Sequence, residues 1–285
     1  MSTAPILITA AALHEALTGP GADRVRVLDV RWRLDRPDGR PEYEAGHIPG
    51  AQFVDLNVEL ARHAGPEDGR HPLPSVDELQ AAARRWGISD GDTVIVYDDL
   101  NNLSSARAWW LLRHSGVADV RLLDGALRAW TEAGLPLESG AAALPAPGTV
   151  SLTYTTLPVL ALEDVAAFAD DSLLLDARAA ERYRGEVEPV DPRAGHVPGA
   201  VSAPTTENLG PDGRFLAAPA LRERFRLLGA ADGVGVGVYC GSGVTAAHEA
   251  VALTLAGLEP RVFVGSWSQW ANHPELPAAT GPNPS

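Results

Sequence analysis

"GHVPGA", residues 195–200, repeats almost unchanged what stands at residues 46–51, "GHIPGA". Three more pairs keep the same order. Val27-Leu28-Asp29-Val30-Arg31 matches Leu174-Leu175-Asp176-Ala177-Arg178, "VIVYDD" (94–99) matches "VGVYCG" (236–241), and "LLDGALRAW" (122–130) matches "VFVGSWSQW" (262–270). The partners lie about 140 to 150 residues apart, which makes the chain an internal duplication rather than a run of coincidences. A chain of 285 residues is too long for one typical core and suits two domains of roughly 130 to 150 residues each. The join falls in the Ala/Pro/Gly-rich "SGAAALPAPGTVS", 139–151, so the expected division is 1–140, a linker over 141–155, and 156–285.

Each half alternates short apolar runs with helical stretches. Thr93–Tyr97 and Val234–Tyr239 have the β-branched character of buried strands. Ser104–Ser115 and Val244–Ala256 read as helices, the second stopped by Gly257. Strand–helix alternation implies an α/β fold with a mostly parallel sheet. Sites in such sheets form in loops beyond the carboxyl ends of the strands. Cys240, the only cysteine, stands there, and its counterpart in the first half is Asp98. Only the second half therefore has a sulfur nucleophile.

Composition narrows the field. Hydrophobic residues make up 45% and charged residues 21%, ordinary for a globular protein, and no run approaches the length of a membrane span. The net charge of −14 opposes binding to nucleic acid. One cysteine forms no internal disulfide and suits a reducing cytoplasm, and no basic-then-apolar leader opens the sequence. Without C-x-x-C or clustered histidines, no zinc site is expected.

"CGSGVT", 240–245, places glycines and a helix start directly after the cysteine. Gly241 and Gly243 let the backbone curl so that N–H groups point inward, and the helix N-terminus at Val244 and Thr245 adds partial positive charge. A thiolate, the reactive form of cysteine, is expected to draw bonds from those amides and from the Ser242 and Thr245 hydroxyls. Two rivals fail on sequence. A phosphate-binding loop needs a lysine after its glycines, and a C-x5-R phosphatase needs arginine where Ala246 stands.

On these residues the chain resembles the two-domain rhodanese family of sulfurtransferases. "YEAGHIPGA" (43–51) is similar to the family's first signature, "VFVGSWSQW" to its C-terminal one, and "CGSGVT" to its active loop. The resemblance implies tandem rhodanese-like domains, each a five-stranded parallel sheet flanked by helices. It implies that Cys240 takes sulfane sulfur from a small-molecule donor as a persulfide and passes it to cyanide or a thiol, with no further cofactor. A monomer or weak homodimer is expected. In this family basic residues after the cysteine go with thiosulfate, and Gly-Ser goes with 3-mercaptopyruvate; Gly241-Ser242 resembles the second kind. By the same resemblance Arg182 and Arg193 would bind the donor's carboxylate, and Ser242, His47 and Asp38 would relay a proton. A structural reading competes for His47, whose twin His196 holds the same turn, and for the repeated Asp29/Arg31 and Asp176/Arg178. Trp130 and Trp270 read as packing residues, with Trp267 a candidate shield for the sulfur. Thiosulfate remains the alternative donor, and a non-catalytic sulfur-binding module is the alternative of another class.

Overall fold

The computed structural model describes residues 5–154 and 156–284. The chain forms two compact units. The first comprises Met1–Arg62, Pro74–Leu157 and Pro211–Arg214, and the second His63–Leu73, Pro158–Gly210 and Phe215–Ser285. This differs from the division at 141–155. Val150 and Leu152 are apolar and buried, and the Gly148 and Val150 amides bond to Arg84 and Ile88 carbonyls, so the segment read as a linker is part of the first unit. The other difference is 63–73, which belongs to the second unit.

In the first unit β1 (Leu7–Ile8), β2 (Val25–Asp29), β3 (Gln52–Phe53), β4 (Thr93–Tyr97) and β5 (Asp119–Leu123) form one sheet in the order β1-β5-β4-β2-β3, every pair parallel. β4 reads TVIVY, and its last four residues are buried, as a central strand covered on both faces requires. In the helix Ser105–His114 every residue but Arg113 is buried. A helix enclosed around its circumference carries apolar side chains on all faces, here two tryptophans and two leucines.

The second unit repeats the plan with β6 (Leu173–Asp176), β7 (Val201–Ser202), β8 (Val236–Tyr239) and β9 (Pro260–Val262), all parallel, in the order β7-β6-β8-β9. The expected fifth strand shrinks to a single parallel bridge between Val159 and Val262. Leu160 N–H bonds to Val262 O and Val262 N–H to Pro158 O. The next rung would need an N–H on Pro158, which proline lacks. Tyr239, Phe263, Trp267 and Trp270 pack with Leu174 and Val197 in one core cluster. β8 is central, so Cys240 leaves the sheet between β6 and β9 at the carboxyl end. Among the described residues no helix is long and apolar enough to cross a membrane.

After Cys240 the chain enters the helix Thr245–Leu255, buried from Ala246 to Leu253. Its small alanines let it sit that deep, and the fully buried Glu249 goes with it. Asn208 Nδ2 donates to Glu249 Oε2 at 2.6 Å, and Arg224 Nη1 is 3.5 Å from Oε1. Burial pushes the Glu249 carboxyl from 4.5 up to about 7, against the opposing pull of Arg224, Thr205 and Asn208. The folded chain thus binds the proton more tightly than the unfolded chain. The stability this supplies is full below about pH 4.5 and is lost as pH rises through about 7. Glu249→Gln keeps an acceptor for Asn208 and cannot ionise. Its melting temperature relative to wild type should therefore climb between about pH 5 and about pH 8. Paired thermal melts measure this, and a difference that is flat or falls with pH contradicts the assignment.

Candidate active site

Cys240 follows Tyr239 at the end of β8 and is 1% exposed. Gly243, at φ 80°, turns its amide back so that N–H meets Cys240 Sγ at 3.1 Å. That φ is available to glycine without strain. The turn that follows β9 holds the loop from behind. Cys240 N–H donates to Ser266 Oγ at 3.1 Å, Trp267 N–H to Cys240 O at 2.9 Å, and Ser268 N–H to Gly241 O at 2.8 Å. Ser266 is itself at φ 55°, costly for a non-glycine residue, and its hydroxyl lies 2.9 Å from Phe263 O and 4.0 Å from Sγ. The "VGSWSQW" signature is therefore the scaffold of the cysteine loop. Trp267 belongs to that scaffold and to the core, with its Nε1 donating to Arg193 O at 2.9 Å.

The Ser242 hydroxyl, expected on the sulfur, goes elsewhere. Ser242 Oγ is 2.8 Å from His71 Nδ1, with both residues buried. Thr245 is the first residue of its helix and Val244 the residue before it, and no bond from the Thr245 hydroxyl to Sγ is found among the described residues. His71 and Arg70 come from segment 63–73. That segment is seated on the scaffold turn: Arg70 N–H donates to Ser268 Oγ at 3.1 Å, and His273 Nε2 lies 3.2 Å from Glu67 O. Gly69, at φ 84°, lies so close that a Cβ there would stand 2.8 Å from Gly265 O.

The first unit carries the same kind of cradle with another occupant. The buried Asp98 carboxylate accepts N–H groups from Leu100 (2.7 Å), Asn102 (2.8 Å), Ser104 (2.8 Å) and Ser105 (3.0 Å). Asn101 and Asn102 supply the left-handed residues, at φ 56° and 67°. A loop at this place in the fold is thus built to converge amides on an anion.

Beside Gly241 stand two guanidiniums. A Cβ on Gly241 would lie 3.1 Å from Arg70 Nη2 and 3.2 Å from Arg182 Nη1. Arg182 Nη2 bonds to Glu188 (2.8 and 3.0 Å) and to Asp191 (3.3 Å), and Arg70 Nη1 pairs with the same Asp191. Burial pushes the Asp191 carboxyl up against the pull of Arg70. Glu188 lies below its ordinary value: burial opposes this, but the Asp191 amide and Arg182 outweigh it. The loop itself supplies no cation, and the two beside it come from Arg70 and Arg182.

Arg193, expected at the substrate, is engaged by backbone carbonyls. Its Nε, Nη1 and Nη2 donate to the carbonyls of Ala271, Leu276, Trp270 and His273 at 2.8 to 3.0 Å, tying down the segment after the scaffold turn. Arg184 pairs with Glu186 at the surface. The proposed relay partners are likewise engaged locally, in the first unit. Asp38 is exposed and accepts the Arg40 N–H at 3.0 Å, at the start of the helix Arg40–Ala45. His47 is buried, stacks on Tyr43 with ring centres 4.0 Å apart, and places Nδ1 2.9 Å from Tyr43 O. His196 does the same with Tyr183, at 3.8 and 2.8 Å. An arrangement present in both units holds the Gly-His-x-Pro-Gly turn, and the partner of the Ser242 hydroxyl is His71 instead. Among the described residues no group of three His, Cys, Asp or Glu is arranged to hold a metal ion.

Comparison with known proteins agrees with this geometry. The rhodanese-like domain family matches twice, at residues 9–133 and 161–273. The putative thiosulfate sulfurtransferase SseB of Mycobacterium tuberculosis (strain H37Rv) is 48% identical over 279 residues, 97% of each chain. The probable 3-mercaptopyruvate sulfurtransferase of Pseudomonas aeruginosa is 45% identical over 287 residues, 99% of this chain and 100% of that one. Among solved structures, the crystal structure of the 3-mercaptopyruvate sulfurtransferase SseA from Escherichia coli superposes with a TM-score of 0.81 at 33% identity, covering 93% of this chain and 99% of that one. With two matched domains, and with its sole cysteine in a glycine-turned loop at the end of the central strand of the second, this chain belongs to the rhodanese-like domain family.

Proposed function

We propose that this chain transfers sulfur from 3-mercaptopyruvate, through a persulfide on Cys240, to a thiol or cyanide. Relatives at 34 to 48% identity are sulfurtransferases by name, and the chain is an enzyme of that class. Their names divide on the donor, thiosulfate in one case and 3-mercaptopyruvate in others. The observation that favours 3-mercaptopyruvate is the Ser242–His71 bond beside the sulfur.

The chemistry follows from what each donor must release. Cys240 Sγ, as thiolate, attacks the sulfur of 3-mercaptopyruvate and the carbon–sulfur bond breaks. The bonding pair stays on the methylene carbon as the enolate of pyruvate. The proton of the donor's thiol then moves to that carbon, which leaves pyruvate and a persulfide anion on Cys240. A hydroxyl held to an imidazole is suited to carry that proton. An attacking thiol or cyanide takes the outer sulfur in the second step, and the thiolate returns. Thiosulfate needs no such carrier, because sulfite departs with its electron pair unprotonated. Charge supports the same choice. Arg70 and Arg182 are matched by Glu188 and Asp191, so the site has no surplus positive charge for a dianion. A cysteine kept as a thiol suits a cytoplasmic setting, where we place the reaction.

Two measurements test the reading. Intact-mass analysis after exposure to each donor should show one added sulfur atom on wild type and none on Cys240→Ser. Failure of both donors to add sulfur rules out the enzyme, and a wide margin in favour of thiosulfate rules out the donor. Separately, Ser242→Ala and His71→Gln should each slow turnover of 3-mercaptopyruvate by about a hundredfold. Thiosulfate turnover should change by only a fewfold. Equal losses with both donors would mean that the pair shapes the loop and carries no proton.

A further inference from the structure

We infer that Arg70 is a donor-binding residue that forms, with Arg182, a two-armed carboxylate clamp over Gly241, and that Asp191 is the internal competitor which occupies the clamp when no donor is bound. This rests on the reading of 3-mercaptopyruvate as donor and names where its carboxylate sits.

Three observations carry it. First, the two guanidiniums arrive at one place from different parts of the chain. Arg70 Nη2 and Arg182 Nη1 lie 3.1 and 3.2 Å from where a Cβ on Gly241 would be, so the glycine lets both guanidiniums come close to the backbone there. Gly241 directly follows the nucleophile, so an anion held there stands one residue from Sγ. Second, the two nitrogens nearest Gly241, Arg70 Nη2 and Arg182 Nη1, are not the ones bonded to carboxylates, whereas Arg182 Nη2, which is, stands farther off at 3.7 Å. Asp191 is held through Arg70 Nη1 and Arg182 Nη2, and Glu188 through Arg182 Nη2. Third, Nε of Arg70 and Nε of Arg182 are both buried without an acceptor among the described residues. A buried guanidinium donor without an acceptor is costly, so both arginines retain donor capacity that their carboxylate partners do not use.

A planar carboxylate offers two oxygens that a pair of guanidinium forks can take. Asp191 is the same chemical group as the donor's carboxylate, and its side chain is only 2% exposed. It bonds to both arms at once, holds them in place between turnovers, and must share them when the donor arrives. The position expected of Arg193 is thus filled by an arginine from segment 63–73, the segment that also brings His71.

Opposite responses of two variants separate a clamp from a structural ion pair. Arg70→Met should raise KM for 3-mercaptopyruvate about tenfold or more with kcat little changed, and Arg70→Lys should restore part of the loss. Asp191→Asn removes the competitor, so KM should stay the same or fall. If the Arg70–Asp191 contact only braces the fold, both variants break it and KM and melting temperature move in the same direction in both. That result overturns the inference, as does an unchanged KM in Arg70→Met. Should Arg70→Met not fold, Arg70→Lys and Asp191→Asn decide by the same signs. The donor reading is judged apart from this, on whether wild type takes sulfur from 3-mercaptopyruvate at all.

Discussion

The buried Asp176–Arg178 ion pair is the constraint on which the second unit's site depends. Asp176 ends β6 and is fully buried, and Arg178 meets it in two directions, through Nε and through Nη2 at 2.6 Å. The same guanidinium donates to Gly195 O at 2.6 Å, lies 4.8 Å over the Trp267 ring, and is 3.5 Å from Glu188. One side chain thereby touches the Gly-His-x-Pro-Gly turn, the scaffold behind the cysteine loop, and the acid that positions Arg182. Removing either charge would leave the other buried and unmatched, at about 3–5 kcal/mol. Arg31 does the same work in the first unit, with Asp29, Gly46 O and Glu42 O. The motif recurs in both halves because both folds need it, whichever half carries the chemistry.

What separates the halves is the occupant of the cradle. Asp98 brings two oxygens that take four amides, so the first loop is closed on itself. Cys240 brings one sulfur, met by the Gly243 amide. A thiolate is also a nucleophile and a leaving group, which a carboxylate fixed in four hydrogen bonds is not. The two loops thus differ in what stands at the end of the central strand, a fixed carboxylate in one and the chain's one sulfur nucleophile in the other.

The duplication, the parallel sheets and the placement of Cys240 were all legible in the sequence, because each rests on local periodicity or on a motif within a dozen residues. The structural reading of the Asp-x-Arg pairs came from their recurrence. The site's other wall was not legible. His71 reaches Ser242 across 171 positions, and Arg70 reaches Asp191 across 121. Repeat logic assigns both residues to the first half, whereas 63–73 folds onto the scaffold turn of the second unit. Arg193 and Arg182 show where a sequence stops: both are arginines of the stretch that follows β6, Arg182 in the short helix Ala180–Tyr183 and Arg193 beyond it. Only the carbonyls around Arg193 and the carboxylates around Arg182 decide which of the two remains available to a ligand. The missing fifth strand was readable in principle, from Pro158, had the register been known.

Under the proposed function an acidic chain takes an anionic donor, and balanced charge is what reconciles the two. With a net charge of −14 the protein's long-range field repels an incoming anion, and that repulsion fades within about a Debye length, ~8 to 10 Å at ordinary salt. Inside that distance local arrangement governs. At the loop two cations and two anions sum to zero, but they are not interchangeable in space. The arginine nitrogens face Gly241, while the carboxylates bond to other nitrogens of the same guanidiniums. A monoanion placed over Gly241 therefore meets the positive face of a neutral cluster. A dianion meets the same face but brings one negative charge more, and two like charges about 4 Å apart repel by ~4 kcal/mol at an effective dielectric of about 20. Neutralising acids such as Asp191 thus do more than hold arginines still: they fix the net charge beside Gly241.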